Sequence, residues 1–294
     1  MDYHVIYNRA AGRGYGERIE KKVLDLLDSQ LINYQYHLTR AQGHAREIAG
    51  DLKESGSVIV VAGGDGTIHE VVNGIIGGNC TLGILPIGSG NDFIKSLNIN
   101  KNLRLCLENI REGDSITIDI GKINDIYFPN GLGIGFDAVV VMETSKIKHL
   151  RGALIYFYAV FKALNYYKNQ RVKITIDGAT EEKDIFMISV GNGTSMGGGF
   201  KLTPLAKLDD GLLDVCIFNS LTKMEVYKNL PKAIHGKHLE LSQVDLRRTT
   251  KLTVESETGI PFHTDGELIS TDSKKIEIEI VPNALKIIYN PVKH

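Results

Sequence analysis

The chain has 294 residues, 43% of them hydrophobic, and a formal net charge of −1. That length accommodates two domains with real cores, and the composition is globular rather than disordered. A near-neutral balance gives no global basic field, so no nucleic-acid partner is expected. In chain order, HVIYN (4–8) is predicted as a strand and residues 16–30 as a helix, with Ile19, Val23, Leu26 and Leu27 at helical spacing. YQYHLT (34–39) is a second strand, and residues 43–53 form a helix. SVIVVAGG (57–64) is a continuous apolar strand of the buried parallel type, followed by a helix over 66–77 and a strand over 81–88. Such alternation predicts right-handed βαβ units and a parallel sheet. Beyond residue 116 strands dominate: SITIDIGKI, RVKITID, DIFMISVGN, LLDVCIFN, KLTVES and KIEIEIVP. Two helical stretches, about 145–168 and 221–237, interrupt them.

The three cysteines (Cys80, Cys106 and Cys216) are far apart and form no CxxC pair, which predicts neither a disulfide framework nor a zinc site and suits a reducing cytoplasm. The amino-terminal MDYHVIYNRAAGRG lacks a charged segment leading into an apolar one, so no secretion signal is expected. No apolar run reaches the roughly 20 residues of a membrane span.

Three glycine-rich turns follow predicted strands. Gly63-Gly64-Asp65-Gly66-Thr67 joins a buried strand to a helix. Glycine lets backbone N–H groups approach phosphate oxygens, and the positive end of the helix points to the same place. A carboxylate there repels phosphate unless a cation intervenes, so Asp65 suggests magnesium or a water bridge. A tight strand–helix turn with an Asp cap explains the same residues equally well. The next strand is followed by Pro86-Ile87-Gly88-Ser89-Gly90-Asn91-Asp92-Phe93, which adds a hydroxyl, an amide and a second carboxylate. In a parallel sheet both turns leave from the carboxyl edge, where open α/β sheets bind ligands. The weakest of the three is Asn8-Arg9-Ala10-Ala11-Gly12-Arg13-Gly14, with two arginines suited to phosphate.

GGDGT followed by PIGSGNDF resembles the catalytic domain of diacylglycerol kinases and of bacterial soluble lipid kinases. Sphingosine and ceramide kinases look similar, and NAD kinases and phosphofructokinases share a GGDG-type turn. The resemblance continues through Asp119, Asn130 to Asp137, Gly191-Asn192-Gly193, Asp209-Asp210-Gly211 and Asp265-Gly266-Glu267. It implies an ATP site made by Asn8, Arg9, Ala10, Ala11, Gly12, Thr39, Gly64, Asp65, Gly66, Thr67, Ile68, His69, Glu70 and Ser89. It implies that Asp65, Asp92 and Asp119 surround a catalytic Mg2+, and that Glu267 accepts the hydroxyl proton. A separate structural magnesium is implied at the Lys207 and Leu212 carbonyls and the Asp210 side chain. From spacing alone, HTDGE and the Asp209-Asp210-Gly211 run are ordinary turns, since Asp-Gly is a favoured hairpin pair. Three departures stand out. Arg9 replaces the usual proline, Ser89 replaces threonine, and Lys95 replaces arginine, which keeps charge but loses bidentate phosphate binding.

Residues 146–173 carry Lys146, Lys148, Arg151, Lys162, Lys168, Arg171 and Lys173 with interleaved aromatics and no acid. A basic, aromatic amphipathic stretch suits an anionic membrane surface. The competing reading is a core helix with a basic outer face, because aromatics at helical spacing usually pack inward.

The expected architecture is therefore an α/β amino-terminal domain (1–121, with 285–294 returning to it in a last strand, ALKIIYNP at 284–291) that by resemblance is similar to NAD kinase. A β-rich, sandwich-like second domain (122–284) supplies Glu267 and the acceptor site. By resemblance ATP occupies the cleft between them, and the protein is cytoplasmic, peripheral at the inner face of the membrane, and a homodimer. The expected reaction is ATP-dependent phosphorylation of diacylglycerol or a related lipid alcohol. Rival readings are a kinase for a sphingoid base, phosphatidylglycerol, a prenol or NAD, or a non-catalytic relative that senses nucleotide or lipid.

Overall fold

The computed structural model describes residues 2–31, 33–147 and 153–289. The chain divides into two compact units, Met1–Ile120 with Pro282–His294, and Gly121–Val281.

The first unit runs β1 (Tyr3–Tyr7), α1 (Ala11–Gln30), β2 (Tyr34–Leu38), α2 (His44–Asp51), β3 (Val58–Gly63), α3 (Asp65–Ile75), β4 (Thr81–Pro86), α4 (Asp92–Ser96) and α5 (Leu103–Glu112). β5 (Ser115–Ile123) then leads out of it. Its sheet has the order β4-β3-β1-β2, parallel throughout. Every residue of β1 and β3 is buried. This is the pattern of strands covered by helices on both faces, and it explains the unbroken apolar sequence of β3. α3 packs Ile68, Val71, Val72 and Ile75 inward at helical spacing, and α1 contributes Val23 and Leu27 to the core. Because the strands are parallel, the turns after β1, β2, β3 and β4 all leave from one edge.

α1 departs from the expected helix at its start. Gly12, Arg13 and Gly14 have φ of 61°, 57° and 82°. This left-handed passage precedes regular helix, which accounts for glycine at two of the three positions. α4 and α5 were not among the predicted helices.

The second unit continues with β6 (Ile126–Phe128), β7 (Gly131–Gly135), α6 (Phe136–Lys146), α7 (Ala153–Leu164), β8 (Gln170–Ile176), β9 (Ala179–Gly191), β10 (Leu213–Asn219), α8 (Lys223–Ile234), β11 (Val244–Thr249), β12 (Lys251–Thr264) and β13 (Glu267–Ile288). Its strands pair antiparallel. The first part of β9 forms a hairpin with β8, while its last residues lie between β7 and β10. Along β10, Leu213, Val215 and Ile217 join the strand core. Cys216 and Phe218 face a second cluster with Phe136, Val140, Ala159 and Val160 of the helices. Burial on both faces explains the apolar residues that flank the buried Asp214 in LLDVCIF.

The structure corrects two expectations here. The helical stretch predicted over 145–168 is two helices, α6 and α7, and α6 begins at Phe136. The predicted strands KIEIEIVP and ALKIIYNP are one strand, β13, whose residues from Pro282 belong to the first unit; there Ile287 pairs in parallel with Leu82 of β4. Asn290 and Pro291 of the second predicted strand lie outside the described residues.

Candidate active site

In the first unit the turns after β1, β3 and β4 come together at the carboxyl edge of the sheet. The Asn8 amide N–H donates to Ala62 O at 3.0 Å, and Ile87 N–H donates to Gly63 O at 3.0 Å. A Cβ at Gly12 would lie 2.8 Å from Ile87 O, and one at Gly64 would lie 3.1 Å from Gly88 Cα. Glycine at 12, 64 and 88 is thus what lets three backbones meet. Thr39, after β2, is tied to the same edge by its N–H to Tyr7 O at 2.9 Å.

α3 begins at this junction. Ile68 N–H makes an early intrahelical bond, to Gly64 O at 3.0 Å, so the Gly66 and Thr67 amides sit where a helix offers N–H groups to an anion. Asn8 closes the arrangement from below: its Nδ2 donates to Thr67 Oγ1 at 2.9 Å, and its Oδ1 accepts from Ala10 N–H at 2.9 Å. Gly64, Asp65 and Gly66 are half-buried and Ser89 is exposed, as contact with a soluble ligand requires.

The two carboxylates both approach Gly90. A Cβ there would be 2.9 Å from Asp65 Oδ2 and 3.8 Å from Asp92 Oδ2. Asp65 Oδ1 accepts from Phe93 N–H at 3.1 Å, which ties the β3 turn to α4. Lys95 holds Asp92 Oδ1 at 2.8 Å. The lysine in the place of arginine therefore orients a carboxylate, one turn along its own short helix.

Other expected residues are occupied differently. Glu70 accepts from Gly43 N–H at 2.9 Å and Ala45 N–H at 3.1 Å, so its carboxylate caps α2. Ile68 is fully buried and His69 nearly so. Arg9 donates to Glu20 at 2.7 Å, and this hydrogen bond holds the Glu20 carboxyl below its ordinary range. Asp119 on β5 is buried and accepts from Asn283 N–H at 2.8 Å.

In the second unit, Glu267 follows a two-residue hairpin turn. Thr264 pairs with Glu267 across it, and Asp265 and Gly266 have φ of 48° and 85°. Asp265 accepts from Gly131 N–H at 2.8 Å and Asn130 N–H at 3.2 Å. The hairpin expected from spacing and the carboxylate expected from resemblance are one structure. In the exposed Asp209-Asp210-Gly211 turn, Asp210 Oδ1 accepts from Leu212 N–H at 3.2 Å. Among the described residues no group of three or more His, Cys, Asp or Glu side chains forms a metal cluster.

Two further features lie on the helices of the second unit, and the first of them had no signal in the sequence. The buried Glu143 of α6 binds Lys146 and Lys162, each at 2.7 Å, and Tyr166 at 2.9 Å. Burial alone would raise its pKa, but these three donors pull it down to about 2. The second is α7, which packs Ile155, Ala159, Val160, Ala163 and Leu164 inward and exposes Leu154, Phe157, Tyr158 and Phe161. The expectation of inward aromatics fails for these side chains. Lys148 and Arg151 lie outside the described residues. No helix among the described residues is long and apolar enough to cross a membrane.

Comparison with known proteins agrees with this geometry. The diacylglycerol kinase catalytic domain family matches residues 2–123, and the YegS C-terminal NAD kinase beta sandwich-like domain matches residues 131–289. A diacylglycerol kinase of Staphylococcus carnosus (strain TM300) is 32% identical over 267 residues, covering 90% of this chain and 87% of its own. A diacylglycerol kinase of Staphylococcus aureus (strain Newman) is 32% identical over 90% of this chain and 85% of its own. The crystal structure of a diacylglycerol kinase from Bacillus anthracis str. Sterne superposes with a TM-score of 0.76 at 26% identity, covering 99% and 97% of the two chains. An NAD kinase from Archaeoglobus fulgidus in complex with ATP shares the fold alone, with a TM-score of 0.58 at 13% identity over 99% and 94% of the two chains. An α/β unit with three glycine turns at one sheet edge, a β-rich partner unit, and relatives matched along nine-tenths of the sequence lead to one conclusion: the chain belongs to the diacylglycerol kinase family and is a lipid kinase.

Proposed function

We propose that the protein transfers the γ-phosphoryl group of ATP to the hydroxyl of diacylglycerol, giving phosphatidic acid. The observation that carries this reading is the convergence of three glycine turns with Asp65 and Asp92 at one parallel-sheet edge. Phosphoryl transfer depends on positioning and charge neutralisation more than on covalent chemistry. The turn amides of Asn8 to Gly12 and Gly64 to Thr67, with Thr39 and Ser89, bind the nucleotide. Lys95 fixes Asp92 in place.

The donor set fits magnesium. Asp65 and Asp92 are hard oxygen ligands, and both approach the position that a Cβ at Gly90 would fill. Magnesium is commonly held by one or two carboxylates together with phosphates and waters. When bound, it neutralises charge on the phosphates. By resemblance the buried Asp119 belongs to the same carboxylate and water network; its Oδ1 accepts from Asn283 N–H. The Lys207 and Leu212 carbonyls with Asp210 form a second all-oxygen set suited to a structural magnesium.

Glu267 accepts the proton of the attacking hydroxyl, a contribution on the order of 10²- to 10⁴-fold. The exposed apolar face of α7, with Met224 and Tyr227 exposed on α8, carries the protein to the inner membrane surface where its acceptor resides. Diacylglycerol is named over other acceptors because the relatives matched along nine-tenths of the chain carry that name. The test is transfer from labelled ATP to a panel of lipid alcohols, with Glu267→Gln as the control. Label in phosphatidic acid that disappears in the variant, while ATP still binds, supports the reading. Label in another lipid phosphate or in NADP overturns it.

A further inference from the structure

We infer that His263, braced by Asp137, is a positioning residue that sets the orientation of Glu267. This rests on Glu267 being the base, the reading given above.

His263 lies near the end of β12 and is only 3% exposed. Its Nδ1 faces the Gly266 N–H at 3.2 Å, inside the turn that delivers Glu267. Its Nε2 lies 3.0 Å from Asp137 Oδ2, in the first turn of α6. An amide N–H can only donate, so Nδ1 accepts. The neutral ring then carries its proton on Nε2 and donates it to the carboxylate. Both ring nitrogens are committed, so His263 is not itself available to take a substrate proton.

The local architecture is arranged around this pair. His263 is directly across from Gly133 on β7, and a side chain at 133 would collide with both Asp137 Oδ2 and His263 Nε2. Glycine at 133 is what lets the imidazole and carboxylate meet over the strand. The turn is then held at both central residues, Asp265 by the Asn130 and Gly131 amides and Gly266 by His263. The Asp265–Gly266 peptide, which leads directly into Glu267, cannot rotate without breaking the Nδ1 bond. A catalytic carboxylate displaced by about 1 Å loses on the order of 10²-fold in rate, so a bond that fixes this peptide matters for turnover. Holding a hairpin needs only the Asp265 contacts; the second anchor, with its own half-buried carboxylate brace, exceeds that need.

Three substitutions separate the contacts. In His263→Asn the side-chain oxygen replaces Nδ1 as acceptor for Gly266. In His263→Gln the amide replaces Nε2 as donor to Asp137 but leaves Gly266 without its acceptor. In His263→Leu both are lost. Turnover of dioleoylglycerol in mixed micelles is measured with saturating ATP, alongside thermal melting. His263→Gln and His263→Leu are expected to lower kcat about 10- to 100-fold with the KM for ATP within about twofold. His263→Asn restores most of it. A residue that merely stabilises the hairpin would instead shift melting in step with activity and move KM and kcat together.

The deciding measurement is His263→Gln placed in a Glu267→Gln background. If the histidine acts through the glutamate, it lowers the residual rate no further; an undiminished second loss overturns the inference. Wild-type kcat in His263→Leu also overturns it. If Glu267→Gln alone leaves kcat unchanged, the base assignment fails instead, which separates the two claims.

Discussion

Replacing Gly90 by alanine probes the two carboxylates without touching either. A Cβ at this position would lie 2.9 Å from Asp65 Oδ2, about half an ångström inside ordinary contact, and 3.8 Å from Asp92 Oδ2, which is ordinary contact. The backbone at 90 is not left-handed, so alanine fits the main chain. The strain therefore falls on the Asp65 carboxylate. That group cannot simply swing away, because Oδ1 is bonded to Phe93 N–H at 3.1 Å. Retreat lengthens a hydrogen bond to a charged group, worth about 1.5–3 kcal/mol when lost outright. Loss of about half of it, at 1.4 kcal/mol per tenfold, corresponds to a fall in kcat/KM of roughly 3- to 12-fold. Global stability should change by less than about 1 kcal/mol, since no backbone atom is displaced. Steady-state kinetics across a magnesium titration provide the assay, and the half-saturating magnesium concentration should rise with the loss of rate. A Gly90→Ala variant with wild-type kcat/KM and wild-type magnesium dependence would refute the placement of the reaction at this carboxylate pair.

Four further outcomes follow from the geometry. Glu70→Gln should cost about 1 kcal/mol of stability through the weakened α2 cap while leaving the KM for ATP within about twofold, read by thermal melting and kinetics; a tenfold rise in KM would return Glu70 to the nucleotide site. Glu143 has a folded-state pKa depressed to about 2 against an ordinary value of 4.5, so its contribution is present above about pH 4.5 and is lost as pH falls toward 2. Glu143→Gln should accordingly melt lower than wild type at pH 7, by about 2 kcal/mol in stability, and the gap should close toward pH 3. Magnesium should raise the melting temperature of an ATP-free sample, and Asp210→Asn should remove a share of that gain that Asp65→Asn does not. Phe157→Ser with Phe161→Ser should weaken sedimentation with anionic vesicles about tenfold or more while lowering stability by only about 1–2 kcal/mol, because both rings are largely exposed and pack against single rings, Phe200 and Tyr227.

The parallel sheet and its turns were legible because their cause is local. VIVVAGG and TLGILPIG are continuous apolar runs closed by glycine, and that pattern has few structures available to it. The helix α6 was not legible. Ala138 to Val141 form an unbroken apolar run because one side meets the sheet and another meets α7, which erases the helical period. Aromatics at helical spacing along α7 gave one reading in which they pack inward, but period alone does not say which face meets water, and Phe157, Tyr158 and Phe161 are exposed. The α7 stretch read as purely basic because Glu143, which binds two of its lysines, stands just before it. His263 and Asp137 are 126 residues apart, so no window of sequence joins them. Glu70 lies in a motif whose neighbours face the ligand edge, while its own side chain points to another helix.

The central claim is that Glu267 is the base of a diacylglycerol kinase. The most direct measurement is transfer of radiolabel from ATP to dioleoylglycerol in mixed micelles by wild type and Glu267→Gln, with ATP binding measured on both. The account predicts labelled phosphatidic acid from wild type, a loss of about 10²- to 10⁴-fold in the variant, and ATP binding retained in both. Label in a different acceptor, or a variant as fast as wild type, would contradict it.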